Sequence, residues 1–351
     1  MSIKKYIIEQ FELHKSMRPE DVVKLCYQAA LGAEHLLTDL DGARRYFNSE
    51  FESVEERSGA LYEKISDEII RVDLGAWKAR RMPAEWLFNM FCASACPRND
   101  GKKLLVEYLS EAEECFKSVH KSFSYGEWEA LVSLYISKGM PAVHHSPAYR
   151  EAERPAYRVI DAKFLSVIPV LEKISRNITY PAVVAIDGRA ASGKSTLADM
   201  LAMATGASIV RIDDFFLPPA LRTEQRLSEA GGNIHYERFI SEVLPHLRGD
   251  DPFEYGIFDC SKMAICEKRR VTRSNIRIVE GSYSHHPNFW EYADISVFVT
   301  VSPEEQMRRI FRRNGEMLAK MFAEKWIPME EKYFDAFSIK ERADIVISTE
   351  Y

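Results

Sequence analysis

The order Gly188-Arg189-Ala190-Ala191-Ser192-Gly193-Lys194-Ser195 sets two glycines, a lysine and a hydroxyl at the spacing of a phosphate-binding loop. Gly188 and Gly193 permit backbone angles closed to other residues and leave room for phosphate oxygens. The amides of Ala190, Ala191, Ser192, Gly193, Lys194, Ser195 and Thr196 are then expected to face an anion, aided by the positive end of a helix. Lys194 would add a point charge near the β- and γ-phosphates of ATP, and the Ser195 hydroxyl would hold Mg²⁺.

Such a loop means something only between a strand and a helix. The apolar run Val183-Val184-Ala185-Ile186 before it reads as a buried parallel strand. Leu197, Ala198, Leu201 and Ala202 after it fall at helical spacing. Further strands are expected at 182–186, 208–212, 276–280, 295–301 and 344–348, with helices at 194–204, 235–247, 303–313, 315–325 and 328–336. The alternation predicts an α/β fold, a P-loop NTPase parallel sheet with helices on both faces, over residues 176–351.

Ligands of open parallel sheets bind beyond the carboxyl ends of the strands. Asp213 and Asp214 close the second strand and Glu280 closes the third. Asp213 is expected to orient an attacking hydroxyl and accept its proton, because a carboxylate suffices when the phosphoryl transition state is loose. Glu280 is expected to hold Mg²⁺ with Ser195, and Asp213 is a further oxygen donor for that ion. Arg308, Arg309, Arg312 and Arg313 follow the fourth strand on one helix. Arg309 and Arg312 are expected to neutralise the transferred phosphoryl group from a lid.

Residues 1–175 have a different grammar. Pro19-Glu20-Asp21 opens a helix whose apolar stripe runs through Val22, Leu25, Cys26, Ala29, Ala33, Leu36 and Leu37. More helices are expected near 43–54, 57–72, 83–95, 101–120 and 126–138, and another over 159–174, with breaks at Gly75, 97–101 and 139–141. This predicts an all-α domain. His35 lies on the apolar stripe and reads as a core histidine. The group His144-His145-Ser146, Tyr149-Arg150 and Tyr157-Arg158 reads either as a binding edge or as the polar connector that loop composition favours.

The net charge of −6 does not suggest a nucleic-acid surface, and no apolar run approaches a membrane span. Glu9 interrupts any signal-peptide core, so a cytoplasmic location is expected. Six scattered cysteines without a Cys-x-x-Cys pair read as reduced thiols. No Asn-Lys-x-Asp or Leu-Ser-Gly-Gly-Gln segment points to a GTPase or an ABC ATPase.

The loop, Asp213-Asp214-Phe215-Phe216-Leu217-Pro218 and Val279-Glu280-Gly281, in that order, resemble the uridine kinase, phosphoribulokinase and pantothenate kinase family. Trp326-Ile327-Pro328-Met329-Glu330-Glu331-Lys332-Tyr333 and Ala343-Asp344-Ile345-Val346-Ile347 look like the close of uridine kinases. The Asp-Asp-Phe-Phe form is especially like nicotinamide riboside kinases, which implies that Asp213 is the catalytic aspartate. The resemblance covers residues 178–351 only. It implies ATP-dependent transfer of the γ-phosphate to a hydroxyl of a nucleoside-, sugar- or vitamin-like molecule. Phe258-Asp259-Cys260 and Met263 stand where uridine kinases carry the tyrosine and histidine that hold the nucleoside, so uridine itself is not implied. His235, Tyr236, Arg238, Tyr255, Asp259 and Tyr283 are the candidates for lining another polar acceptor pocket. The first half is expected to complete that pocket, set homo-oligomerisation or bind a regulator. The alternative function is an ATP-binding sensor whose first half is the output module.

Overall fold

The computed structural model describes residues 3–33, 39–177 and 181–350. Contacts divide the chain into two units, Met1–Leu165 and Ser166–Tyr351. His35, Leu36 and Leu37 lie outside the described residues.

In the first unit, helices span Ile3–Leu13, Pro19–Leu31, Leu40–Ser53, Leu74–Ala79, Ala84–Ser94, Gly101–Cys115, Tyr125–Ser137 and Pro147–Glu153. Three strands, β1 (Tyr62–Lys64), β2 (Ile69–Asp73) and β3 (Tyr157–Asp161), pair antiparallel in the order β1-β2-β3. The all-α expectation is corrected here. The segment 57–72 is not a helix, because the β-branched run Ile69-Ile70-Arg71-Val72 is buried along its whole length between two strand partners. The helix expected over 159–174 likewise divides into β3 and a helix Ile168–Asn177 belonging to the second unit. Gly75 does not break the chain but sits inside a helix. Asp73 caps that helix, accepting from the Ala76 amide at 2.7 Å. A Cβ at Gly75 would lie 2.6 Å from the Glu55 carbonyl oxygen, so close backbone approach explains the glycine.

The second unit carries five parallel strands: β4 (Ala182–Gly188), β5 (Ser208–Arg211), β8 (Ile276–Glu280), β9 (Ile295–Thr300) and β10 (Ile345–Ser348). The remaining two, β6 (Phe253–Asp259) and β7 (Ala264–Val271), form a separate antiparallel hairpin. The sheet order is β10-β9-β4-β8-β5, with helices packed around it, and this is the P-loop NTPase arrangement expected from the sequence. Every residue of β4 and β8 is buried, which fits their mostly apolar composition. Parallel pairing brings the ends of all five strands to one rim. The ladders pair Glu280 with Ile186 on one side and with Arg211 on the other. The hairpin escaped the sequence reading. Its outer strand β7, Ala-Ile-Cys-Glu-Lys-Arg-Arg-Val, is exposed over most of its length and shows no apolar alternation.

No helix among the described residues is long and apolar enough to cross a membrane.

Candidate functional site

The loop between β4 and the helix Lys194–Thr205 takes three backbone conformations that L side chains rarely adopt. Gly188 has φ 136°, Ala191 57° and Gly193 98°. A Cβ on Gly188 would lie 2.0 Å from the Val299 carbonyl oxygen, so only glycine lets the loop pass β9. The turn leaves a set of donors inside it. Among the described residues no protein acceptor takes the amides of Ala191, Gly193, Lys194, Ser195 or Thr196. The Ser192 hydroxyl is fully buried and also lacks a partner. Free donors converging on one turn, with Ser192 and Lys194 buried and Ala191 and Gly193 half-buried, suit an anion.

Two of the expected phosphate-facing amides are committed elsewhere. The Ala190 amide donates to Glu330 Oε2 at 2.8 Å and the Ser192 amide to the Arg189 carbonyl at 3.1 Å. Lys194 is buried and folds back over the loop, donating to the Gly188 and Arg189 carbonyls at 2.8 Å each.

The Ser195 hydroxyl donates to Glu280 Oε2 at 3.3 Å. Arg211 donates to the other Glu280 oxygen and, at 2.9 Å, to Asp199. Burial outweighs the Arg211 guanidinium and holds the Glu280 carboxyl above the usual carboxylate range. Ser195 and Glu280 are thus two oxygen donors one hydrogen bond apart. That fits Mg²⁺, which takes few protein ligands and completes its shell with phosphate and water.

Asp213 follows the end of β5. Gly281, at φ 134°, abuts it: a Cβ there would lie 3.4 Å from Asp213 Oδ1 and 3.0 Å from the Ile212 Cβ. The Asp213 side chain is open to solvent. Desolvation by the surrounding protein pushes its carboxyl above the ordinary aspartate range, against the pull of Lys194 and with the push of Asp214. The Arg313 guanidinium also pulls its carboxyl down.

Arg309 is placed differently from a lid residue. It donates to Thr349 Oγ1 at 2.9 Å, to the Thr349 carbonyl at 2.6 Å and to Glu305 at 2.7 Å. Thr349 in turn donates to the Ser192 carbonyl at 2.7 Å, so Arg309 braces the loop from behind. Arg312 is exposed on the same helix.

The six acceptor-pocket candidates do not form one wall. Tyr255 is 1% exposed and its hydroxyl is committed, accepting from the Arg211 amide at 3.1 Å and donating to Asp214 at 3.0 Å. Arg238 is tied to Glu242 at 2.8 Å and to the Gly256 carbonyl, under the Phe215 ring. His235 caps its helix, accepting from the Arg238 amide at 3.3 Å. Asp259 organises the hairpin turn through Ser261 and Lys262, and those bonds hold its carboxyl at about 2. Tyr236 stacks on His286 with Arg226 3.8 Å above its ring. Tyr283 is buried at φ 76° beside Tyr333.

Three residues that the sequence reading did not single out hold the loop in shape. Buried Asp187 accepts from the Gly188, Tyr283 and His285 amides and from the Tyr333 hydroxyl, at 2.7 to 3.1 Å. Buried Glu330 accepts from Ala190 and, at 2.7 Å, from the Ser282 hydroxyl. Gln306 donates to the Ala190 carbonyl at 3.1 Å. An acid inside the apolar run of β4 was the available signal for Asp187.

No family model matches this chain, and no curated protein matches it. Solved structures do align with part of it. A possible uridine kinase from Bacillus stearothermophilus is 19% identical, with 53% of this chain and 96% of that chain covered at a TM-score of 0.40. A candidate fructose transport system kinase from Silicibacter sp. TM1040 is 22% identical, covering 52% and 98% at a TM-score of 0.40. TT1252 from Thermus thermophilus is 21% identical, covering 49% and 91% at a TM-score of 0.27.

Proposed function

We propose that the second unit is an ATP-dependent kinase that phosphorylates a hydroxyl of a small metabolite, nucleoside-, sugar- or vitamin-like. The observation that carries this reading is the set of unpartnered amides around Lys194, on the same strand-end rim as Asp213 and Glu280. When bound, ATP would supply the phosphoryl group, and Mg²⁺ would supply positive charge to offset that of the phosphates. Ser195 and Glu280 would hold the ion. The loop amides and the Ser192 hydroxyl would hold the phosphates, with Lys194 exchanging its two carbonyl partners for phosphate oxygens. Asp213 takes the proton of the acceptor hydroxyl as that oxygen bonds to phosphorus and the bond to ADP breaks. Its raised carboxyl makes it a stronger base than an ordinary aspartate.

The test is ADP release by the purified protein with MgATP and a panel of nucleosides, sugars and vitamins, with the product checked by mass for one added phosphoryl group. Acceptor-dependent release is expected for at least one class. ATP binding without acceptor-dependent release across the panel would overturn the reading.

A further inference from the structure

The side chains beside the phosphate loop close into a ring. Ser195 and Asp199 lie one turn apart on the helix Lys194–Thr205, so they share a face. Arg211 and Glu280 are direct partners in the β5–β8 ladder, so their side chains leave the sheet on one side. Ser195 donates to Glu280 Oε2 at 3.3 Å, and one terminal nitrogen of Arg211 donates to Glu280 Oε1. The other terminal nitrogen of Arg211 donates to Asp199 Oδ1 at 2.9 Å. The helical turn from Asp199 back to Ser195 completes the circuit.

The three charged members sit at different depths: Glu280 is buried, Arg211 half-buried and Asp199 exposed. Among the described residues Arg211 is the one ion-pair partner of Asp199, whereas Arg211 pairs with both carboxylates. Arg211 alone would be a poor neighbour for a metal. It would set a full positive charge on the carboxylate that has to hold another cation. Asp199 offsets that charge. An arginine shared between two carboxylates leaves Glu280 its negative charge on the Oε2 side, where Ser195 stands. The planar guanidinium meanwhile fixes the direction of the Glu280 carboxylate.

We propose that Asp199 and Arg211 form an outer pair that aims Glu280 at Ser195 and keeps its charge available to a divalent cation. Arg211 is a positioning residue, and Asp199 acts through it. This role rests on the reading of Ser195 and Glu280 as the holders of Mg²⁺. Residues that orient a metal ligand from behind influence affinity without touching the ion.

Mn²⁺ is the probe, titrated into the full chain saturated with ADP. The bound ion is counted by electron paramagnetic resonance against a matched solution of ADP alone. Asp199→Asn should weaken Mn²⁺ binding about threefold or more, short of the roughly tenfold to hundredfold usual for a residue bonded to the ligand itself. ADP affinity in EDTA, read by calorimetry, should stay within about twofold, and circular dichroism should not change; a merely structural lesion would move both. In an Arg211→Met background Asp199→Asn should alter Mn²⁺ affinity by less than about twofold, because its route to Glu280 is gone. Wild-type Mn²⁺ binding that Asp199→Asn leaves unchanged, or an equal loss in both backgrounds, would overturn the outer pair and leave the metal assignment standing. A wild-type complex without a Mn²⁺ site would sink both. Asp199 is exposed, so its single variant keeps the test decisive even if Arg211→Met disturbs folding.

Discussion

Asp213 and Asp214 are adjacent, yet their surroundings assign them opposite work. Asp214 is 7% exposed and ties the β6–β7 hairpin to β5, accepting from Tyr255 at 3.0 Å and Arg269 at 2.9 Å. Asp213 is open to solvent, with its carboxyl raised. Asp213→Asn should therefore keep MgATP affinity within about threefold while kcat falls by ~10²–10⁴, the usual worth of a positioned base. Calorimetry and single-turnover assays separate the two effects, and lost ATP binding would contradict this assignment. The active form of Asp213 is the ionised one, so kcat/KM should fall as pH drops, with a midpoint above the ordinary aspartate range. The stability linkage has the opposite sense. A carboxyl raised in the fold contributes stability at low pH and loses it as pH rises through its folded value. At neutral pH ionised Asp213 is then a burden, and Asp213→Asn should leave Tm unchanged or higher. Asp214→Ala instead leaves the buried Tyr255 hydroxyl short of a partner and should cost about 1–3 kcal/mol in chemical denaturation.

The strand–loop–helix element depends on β9 as much as on its own residues. The Gly188 Cα hydrogen faces the Val299 carbonyl so closely that any side chain displaces a sheet strand. Gly188→Ala should lower stability by roughly 2–4 kcal/mol, and it should weaken nucleotide binding more than ten-fold; calorimetry with and without MgATP reports both. This element was legible in the sequence because its signals are local: an apolar run, two glycines and a helical stripe. Strand ends at Glu280, Thr300 and Ser348 agree within a residue with those expected, because these segments are short, rich in β-branched residues and mostly apolar. Two of the misread elements, β7 and β1, lack such segments. β7 is exposed, and β1 has the exposed triplet Tyr-Glu-Lys. Within the site, Lys194, Ser195 and Glu280 were readable from type and position. The braces were not, since Asp187, Glu330 and Thr349 act across 96, 140 and 157 residues of chain. Nor could spacing show that Tyr255 and Arg238 spend their polar atoms on the fold.

At the scale of the whole molecule, the question is whether nucleotide binding concerns one unit or both. Each unit has its own core: one gathers Ile7, Val22, Leu105 and Trp128, the other Val210, Phe239, Phe298 and Tyr333. Separate cores allow separate responses, since local opening is governed by local contacts. A ligand bound only to the folded state at a hundred times its Kd adds about 2.7 kcal/mol of stability. For a kinase whose site is confined to residues 187–196, 213, 280–283 and 330, that gain should appear as slowed amide exchange at those positions and in β4 and β8. Exchange in residues 3–161 should stay unchanged. An ATP-binding sensor that uses its first unit as output must instead alter the first unit, because an effector shifts an equilibrium only through differential interaction with its two states. Hydrogen exchange read by mass spectrometry, with and without MgATP, tells the two apart. Protection confined to the phosphate loop and its braces supports catalysis within one unit. Protection or loosening along the helices that bury Trp128 would shift the function to signalling and leave Asp213 a secondary role.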